Sequence, residues 1–359
     1  MPPLLLFLIG LVVIFSTTSA SILDGDQAKS THHAIIRQFF YFFLALILSF
    51  LSYRAGYLRF LKISPFLFWA FVFLLVLTLI PGIGKQVNGA RRWIGAQGFY
   101  FQPSEFVKVI LPSYFIYRLS FLEFGNVSFG SFMKEVFIAL IPVILILIEP
   151  NNGTAAVLLL SLIVLFYLMK IKAKYWALPL LLTVGCGALF ASQLPYVSRR
   201  LEAYLHPEKD LQGKGHQPYQ AKIAAGSGKL FGKGPGKSLQ KLSYLPEAQN
   251  DYIAAIFAEE YGFTGITLII FLYGLIAYFG FEICFQTETL EGYYLSALIS
   301  FLISFQAFLN LGVVSGILPS TGLNLPFFSQ GGTSLMANAL CVSLLVSIST
   351  RKKEPLLSN

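Results

Sequence analysis

The stretch Ser64-Pro-Phe-Leu-Phe-Trp-Ala-Phe-Val-Phe-Leu-Leu-Val-Leu-Thr-Leu-Ile-Pro-Gly82 contains no Asp, Glu, Lys or Arg. About 20 such residues in a helix cross the roughly 30 Å hydrocarbon core of a bilayer. Working outward, comparable runs lie near 3 to 19, 34 to 53, 104 to 122, 132 to 148, 154 to 170, 175 to 193, 252 to 281, 292 to 317 and 327 to 349. The expected fold class is therefore all-α: a polytopic membrane protein with about ten transmembrane helices in a single domain over 1–359. Composition agrees, since 12% of residues are charged and 56% hydrophobic, against about 25% and 45–50% in soluble chains. An ordinary soluble domain is excluded. Cys186, Cys284 and Cys341 sit in apolar stretches, which fits buried small side chains better than a disulfide frame or metal site.

Thr18-Ser19-Ala20 could end a signal peptide, but no Lys or Arg precedes the first run. A signal peptide carries a basic leader, so this run reads as an uncleaved span. With both termini cytoplasmic, eleven Lys or Arg fall in inner connections, from Arg54 to Lys353. The short outer connections hold five: Lys29, Arg37, Lys85, Arg91 and Arg92. The positive-inside rule favours this orientation. One connection, 194–250, holds nine Lys or Arg against four acids. It is read as a long extracytoplasmic loop, translocated despite its charge. Its basicity suits either anionic lipid head groups or an anionic substrate. No internal repeat appears, and no pair of interrupted spans marks corresponding halves, which counts against an inverted-repeat transporter.

Within the loop, Gly226-Ser-Gly-Lys-Leu-Phe-Gly-Lys-Gly-Pro-Gly-Lys-Ser238 invites a phosphate-loop reading. It fails, because Phe231 stands where a nucleotide P-loop needs its first Gly. Backbone approach to some ligand stays open. Asp251 follows at the entry to the eighth span; carboxylates at membrane depth default to function. Burial would raise its proton affinity, as a general base requires, although Asp also caps helices well. Glu259 and Glu260 lie two turns further in and suggest a polar cavity.

A second cluster is Gly89-Ala-Arg-Arg92-Trp93 followed by Gln102-Pro103-Ser-Glu105-Phe-Val-Lys108. Pro103 suits a first helical turn, and Glu105 with Lys108 share a helix face. The pair is either a structural ion pair or, with Arg92, part of an anion site. A third, Pro319-Ser-Thr-Gly-Leu-Asn-Leu-Pro326-Phe-Phe-Ser-Gln-Gly331-Gly332-Thr-Ser334, reads as a broken wall lining protein or water, or as a simple loop.

In this order the clusters resemble the SEDS (shape, elongation, division, sporulation) family of polytopic cell-wall proteins, whose branches are FtsW, RodA and SpoVE. The matching pieces are Gly89-Ala90, Arg92-Trp93, Gln102-Pro103, Glu105, Lys108, Glu149-Pro150, Gly153-Thr154, Gly226 through Ala248 to Asp251, and Ser329 to Ser334. Gln240-Lys241-Leu242 and Tyr244-Leu-Pro-Glu-Ala248 look like the FtsW branch; RodA usually carries Arg in place of Ala248. The chain departs at Asn151 (usually Asp), Gln249-Asn250 (usually His-Thr), Gln330 (usually Tyr) and Thr321 (often Lys).

The resemblance implies a peptidoglycan glycosyltransferase polymerising lipid II, the undecaprenyl-diphosphate-linked disaccharide pentapeptide. It would work in the bacterial cytoplasmic membrane with a class B penicillin-binding protein and the division or elongation machinery, surrounded by membrane lipid and without nucleic acid. Asp251 would be the catalytic base. Arg92, Lys108, Glu105, Gln102, Lys241, Glu247, Ser329 and Ser334 would bind substrate. No cofactor is demanded; a divalent cation, Mg or Mn, could assist, yet no ligand set is readable. The reading from another class is a lipid II flippase using the same charges. A scaffold that only activates its partner is a third.

Overall fold

The computed structural model describes residues 1–23, 31–87, 90–96, 99–121, 128–192, 204–205, 215–242, 245 and 248–350. Helices stand at all ten expected stretches: α1 Pro2–Leu23, α2 Thr31–Ala55, α3 Tyr57–Leu79, α4 Pro103–Ser120, α5 Phe129–Ile148, α6 Asn152–Leu168, α7 Ala173–Ser192, α9 Ile253–Gln286, α10 Leu290–Val314 and α11 Gly332–Thr350. In hydrocarbon a backbone must satisfy its own hydrogen bonds, which makes helices of such runs. Among the described residues, seven of them, α1, α2, α3, α5, α9, α10 and α11, are long and apolar enough to cross a membrane. In α4 the charges of Glu105, Lys108 and Arg118 interrupt the apolar run, and α6 has 17 residues. The protein is a multi-pass membrane protein.

Two elements lie in stretches read as connections. A three-stranded antiparallel sheet joins α3 to α4: β1 Gly84–Val87, β2 Ala90–Ala96 and β3 Phe99–Phe101, in that order. Lys85 pairs with Trp93 and Ile94 with Phe101, with an irregularity between Lys85 and Gln86. A further helix, α8 His216–Ser227, lies within the long loop.

The chain falls into two compact units. One holds residues 40–179, 277–303 and 332–359. Its centre is α4, packed against α3, α5, α6 and α11 and buried along nearly its whole length. Phe115, Phe132 and Phe166 meet there at ring-centroid distances of 5.0 to 6.2 Å. Tyr41 and Thr333 pin β3: the Tyr41 hydroxyl bonds the Tyr100 carbonyl at 2.9 Å, and the Gln102 N–H donates to Thr333 Oγ1 at 3.2 Å.

The other unit holds residues 1–39, 180–276 and 304–331. Its α9, expected as one continuous span, breaks at Gly262, where φ is 69° and ψ −161°. The preceding arm, Ile253 to Tyr261, is a short half-helix. The following arm, Phe263 to Gln286, is about 36 Å long at 1.5 Å per residue and spans by itself. A turn from the long loop closes the break. Lys233 N–H and Gly234 N–H donate to the Glu259 and Glu260 carbonyls at 2.9 and 3.0 Å, and the Phe263 and Thr264 N–H groups donate to the Lys229 and Leu230 carbonyls at 2.9 and 3.1 Å.

A Cβ on Gly262 would stand 2.4 Å from the Gly232 nitrogen. Gly262→Ala should therefore destabilise the protein by about 2 kcal/mol or more, combining left-handed strain with a backbone clash. A lowered midpoint of thermal unfolding in detergent checks this, and an unchanged midpoint would refute the close approach.

Candidate functional site

Asp251 precedes the half-helix of α9 by two residues, and the cap position falls on Tyr252, whose carbonyl accepts the Ala255 N–H at 2.9 Å. The surroundings of Asp251 are built from three chain segments. Asn310 of α10, almost wholly buried, donates its Nδ2 to the Asp251 carbonyl at 2.8 Å and to the Leu323 carbonyl at 2.7 Å. The Tyr252 hydroxyl bonds Ser320 Oγ at 3.1 Å, and the Gln330 N–H donates to the Gln249 carbonyl at 2.9 Å. Gly322 lies beside the carboxylate: a Cβ there would be 3.7 Å from Asp251 Oδ2. The Pro319–Gly331 segment thus forms a wall next to Asp251, while the aspartate keeps partial exposure. Ser329 shapes that wall rather than opening outward, because its Oγ accepts the Leu325 N–H at 2.8 Å.

Lys241 has a different setting from the anion contact expected of it. Its ammonium donates to Glu260 Oε1 at 2.8 Å, Ser16 Oγ at 2.8 Å and the Gly236 carbonyl at 2.6 Å. An ammonium has three donors, so all are used inside the protein. Beside it, Glu259 is fully buried and accepts from Lys233 Nζ at 2.6 Å, from the Ser238 hydroxyl, and from the Leu239 and Gln240 N–H groups, each at 3.2 Å. Glu259 and Glu260 are therefore the anchors of the loop. The Gly-rich turn likewise spends N–H groups of Lys233 and Gly234 on Glu259 and Glu260 carbonyls, and at those positions its backbone holds its own chain. Glu247 lies outside the described residues.

The second cluster belongs to the other unit. Lys108 Nζ and Glu105 Oε2 are 2.9 Å apart on α4, both buried, so the helix-face pairing read from their spacing forms. Gln102 sits at the start of α4 with its Nε2 donating to Ser104 Oγ at 3.2 Å. Ser334 is buried in the first turn of α11, where Asn338 Nδ2 bonds its carbonyl at 2.8 Å and its Oγ at 3.3 Å. Arg92 on β2 donates Nε to the Glu149 carbonyl at 3.0 Å and Nη2 to the Pro150 carbonyl, which fixes its guanidinium at the α5–α6 junction.

Glu149, which the sequence offers only as part of the matching Glu149-Pro150 pair and without a role, stands out here. It is 1% exposed, its Oε1 accepts from the Thr78 hydroxyl, and its buried Oε2 has no hydrogen bond among the described residues. Burial pushes its carboxyl up to about 7, against the Thr78 hydrogen bond and the Arg92 charge, which pull it down. A second unanticipated group ties α4 to α5: Glu135 accepts from Tyr114 at 2.8 Å and from Arg118 at 2.7 and 3.0 Å. Glu135 was read only as part of an apolar span.

The FtsW, RodA and SpoVE family, described as cell cycle protein, matches residues 2–354. A protein of Legionella pneumophila named probable peptidoglycan glycosyltransferase FtsW is 36% identical over 347 residues, covering 96% of this chain and 88% of its own. Stage V sporulation protein E of Bacillus subtilis is 34% identical over 347 residues, covering 96% and 94%. Among solved structures, the rod shape determining protein RodA of Thermus thermophilus is 26% identical with a TM-score of 0.69, covering 98% of this chain and 96% of that one. A chain from a peptidoglycan synthase complex shares the fold with a TM-score of 0.77 at 24% identity, covering 97% and 96%.

Two outcomes test the clusters. Lys241→Met should cost about 3–5 kcal/mol of stability by leaving Glu260 buried and unpaired. Lys241→Met with Glu260→Gln should recover most of that loss, and a double-mutant cycle without coupling would refute the pair. For Glu149, the folded carboxyl holds its proton between its ordinary 4.5 and about 7, so the folded state binds more protons than the unfolded chain in that window. Stability should then fall as pH rises from about 4.5 to about 7 and level off above. Unfolding midpoints against pH should lose that slope in Glu149→Gln.

Proposed function

The chain belongs to the FtsW, RodA and SpoVE family of cell cycle proteins, and from that membership we propose that it is a peptidoglycan glycosyltransferase of the division type, polymerising lipid II. The observation that carries the reading is agreement at 36% identity along 96% of the chain with a relative named for that activity. The setting of Asp251 supports it.

Glycan extension requires loss of a proton from the attacking GlcNAc 4-hydroxyl as its oxygen bonds the anomeric carbon and the undecaprenyl diphosphate departs. Asp251 is the base in this proposal. Its main chain is fixed by Asn310, its carboxylate stands by Gly322, and it keeps access to the outside of the protein. Fixing a base before substrate arrives removes reorganisation from the reaction step. Arg92 is the cation assigned to the departing diphosphate, held by two carbonyls without loss of its charge. Glu105 and Lys108 orient α4 and contribute a fixed buried dipole. Lys241 supports the fold around Asp251 through Glu260. Ser329 in one unit, and Gln102 and Ser334 in the other, shape local turns, and Glu247 keeps the substrate-binding role that the resemblance gave it.

Among the described residues no three His, Cys, Asp or Glu side chains converge as a metal site. A Mg or Mn ion bound with the substrate would neutralise charge on the diphosphate. The protein resides in the bacterial cytoplasmic membrane with both termini cytoplasmic, and the loop around 194–250 faces outward. A class B penicillin-binding protein of the division machinery is its transpeptidase partner, in keeping with a fold shared with a synthase-complex chain.

The test is polymerisation of purified lipid II by the reconstituted protein, with and without a transpeptidase-inactivated partner. Wild type should make glycan chains, and Asp251→Asn should lose at least about a hundredfold in rate with an unchanged unfolding midpoint. Chains from the variant at the wild-type rate would remove Asp251 as base. No chains from wild type under either condition would return the protein to the flippase or scaffold class.

A further inference from the structure

The Gly-rich turn that closes the α9 break has an outer face left exposed among the described residues. Leu230, Phe231 and Leu239 are 53%, 76% and 57% exposed. Lys229 and Lys237 are exposed beside them, with no ion-pair partner among the described residues. The turn is not a floppy tip. Four backbone hydrogen bonds join it to both sides of the Gly262 break, and Ser238 and Lys233 clamp onto Glu259.

The apolar part of this face continues onto the spanning arm of α9. Phe263 is 64% exposed, and its N–H bonds the carbonyl of Lys229. Beyond it Leu268, Ile270 and Phe271 are exposed along a segment that must face hydrocarbon. Leu230 and Phe231 thus stand where the lipid-facing surface of a span ends and the loop begins. Apolar rings beside lysines at that level match the two layers of a bilayer boundary: acyl chains and anionic phosphates.

We propose that the turn from Lys229 to Leu239 is a membrane-interface wedge, with Leu230, Phe231 and Leu239 entering the head-group layer and Lys229 and Lys237 pairing with phosphates of anionic bilayer lipids. The wedge sets depth. The half-helix Ile253–Tyr261, about 13 Å long, runs from Asp251 to the residues that grip the turn. Anchoring the turn at the bilayer surface therefore fixes how far Asp251 stands from it. Assignment of the outer leaflet rests on the topology proposed above; the wedge itself rests on the exposed face and its continuity with the span.

The test uses the full chain in nanodiscs of phosphatidylcholine, with and without phosphatidylglycerol. Phe231→Trp adds emission to that of Trp69, Trp93 and Trp176, and subtracting the wild-type signal isolates it. That emission should be quenched by lipids brominated in the acyl chains and shielded several-fold from aqueous acrylamide. Lys229→Glu with Lys237→Glu in the same background should abolish the added quenching that phosphatidylglycerol gives, each lysine being worth about fivefold in local partition at an anionic surface. Quenching by acrylamide but not by brominated lipid would overturn the proposal. So would shielding that arises only when a class B transpeptidase is added, which would make the face a protein-docking surface. Polymerisation is not read in this experiment, so a failed wedge and a failed glycosyltransferase reading are separate results.

Discussion

At Gly262 the backbone of α9 leaves helical geometry at the edge of a segment that must face hydrocarbon, and the hydrogen bonds that repair this break fix the loop turn to the half-helix that begins two residues after Asp251. Freed carbonyls and N–H groups at membrane depth cost several kcal/mol each when unsatisfied. Here the carbonyls of Glu259 and Glu260 and the N–H groups of Phe263 and Thr264 all find partners in the turn at 229–234. Only glycine at both 232 and 262 lets the two backbones come so close. The break in turn creates the half-helix that starts beside Asp251, and places Glu259 and Glu260 where the lysines of the turn can neutralise them. An unbroken α9 would leave both glutamates without that clamp.

The unit built around α4 handles buried charge by the same logic with other parts. Glu105 with Lys108, and Glu135 with Arg118 and Tyr114, are charge groups within helices that are otherwise apolar. Replacing such pairs by apolar residues can leave stability unchanged, whereas removing one partner is costly. Glu105 and Lys108 pair within α4, whereas Glu135 joins α5 to Tyr114 and Arg118 of α4 and so fixes which faces of those two helices meet. α4 is buried along nearly its whole length, and a purely apolar α4 would have no such means of fixing its rotation against α5.

The spans were legible because twenty-residue apolar runs are a strong signal, and each expected run contains a helix. The break in α9 was hidden by the same strength: the run from 252 to 281 stays apolar through Gly262, and glycine alone does not terminate a membrane helix. Glu259-Glu260 just before it was the available hint. The sheet between α3 and α4 was read as a connection, although Asn88-Gly89 between two short alternating stretches is a recognised hairpin signal. Asp251 could be singled out from its position at the entry to a span. The internal partners of Lys241, Glu260 and, on α1, Ser16, were not legible in the sequence, because Ser16 lies 225 residues away along the chain. Cys284 and Cys341 are buried, as their apolar context implied, and the Cys186 side chain lies outside the described residues.

Asn151, one of the departures from the family pattern, has a physical account in the state of Glu149. That carboxyl is buried, raised by desolvation, and has one oxygen without a hydrogen bond among the described residues. A second carboxylate two residues on would add like-charge repulsion and press its affinity for a proton higher still. Asn151 avoids that, and its Nδ2 donates to Ser104 Oγ at 3.4 Å, a bond that an ionised Asp could not donate. The amide therefore links the α5–α6 junction to the first turn of α4 without adding charge. Arg92, bonded to the carbonyls of Glu149 and Pro150, takes its position from this same junction.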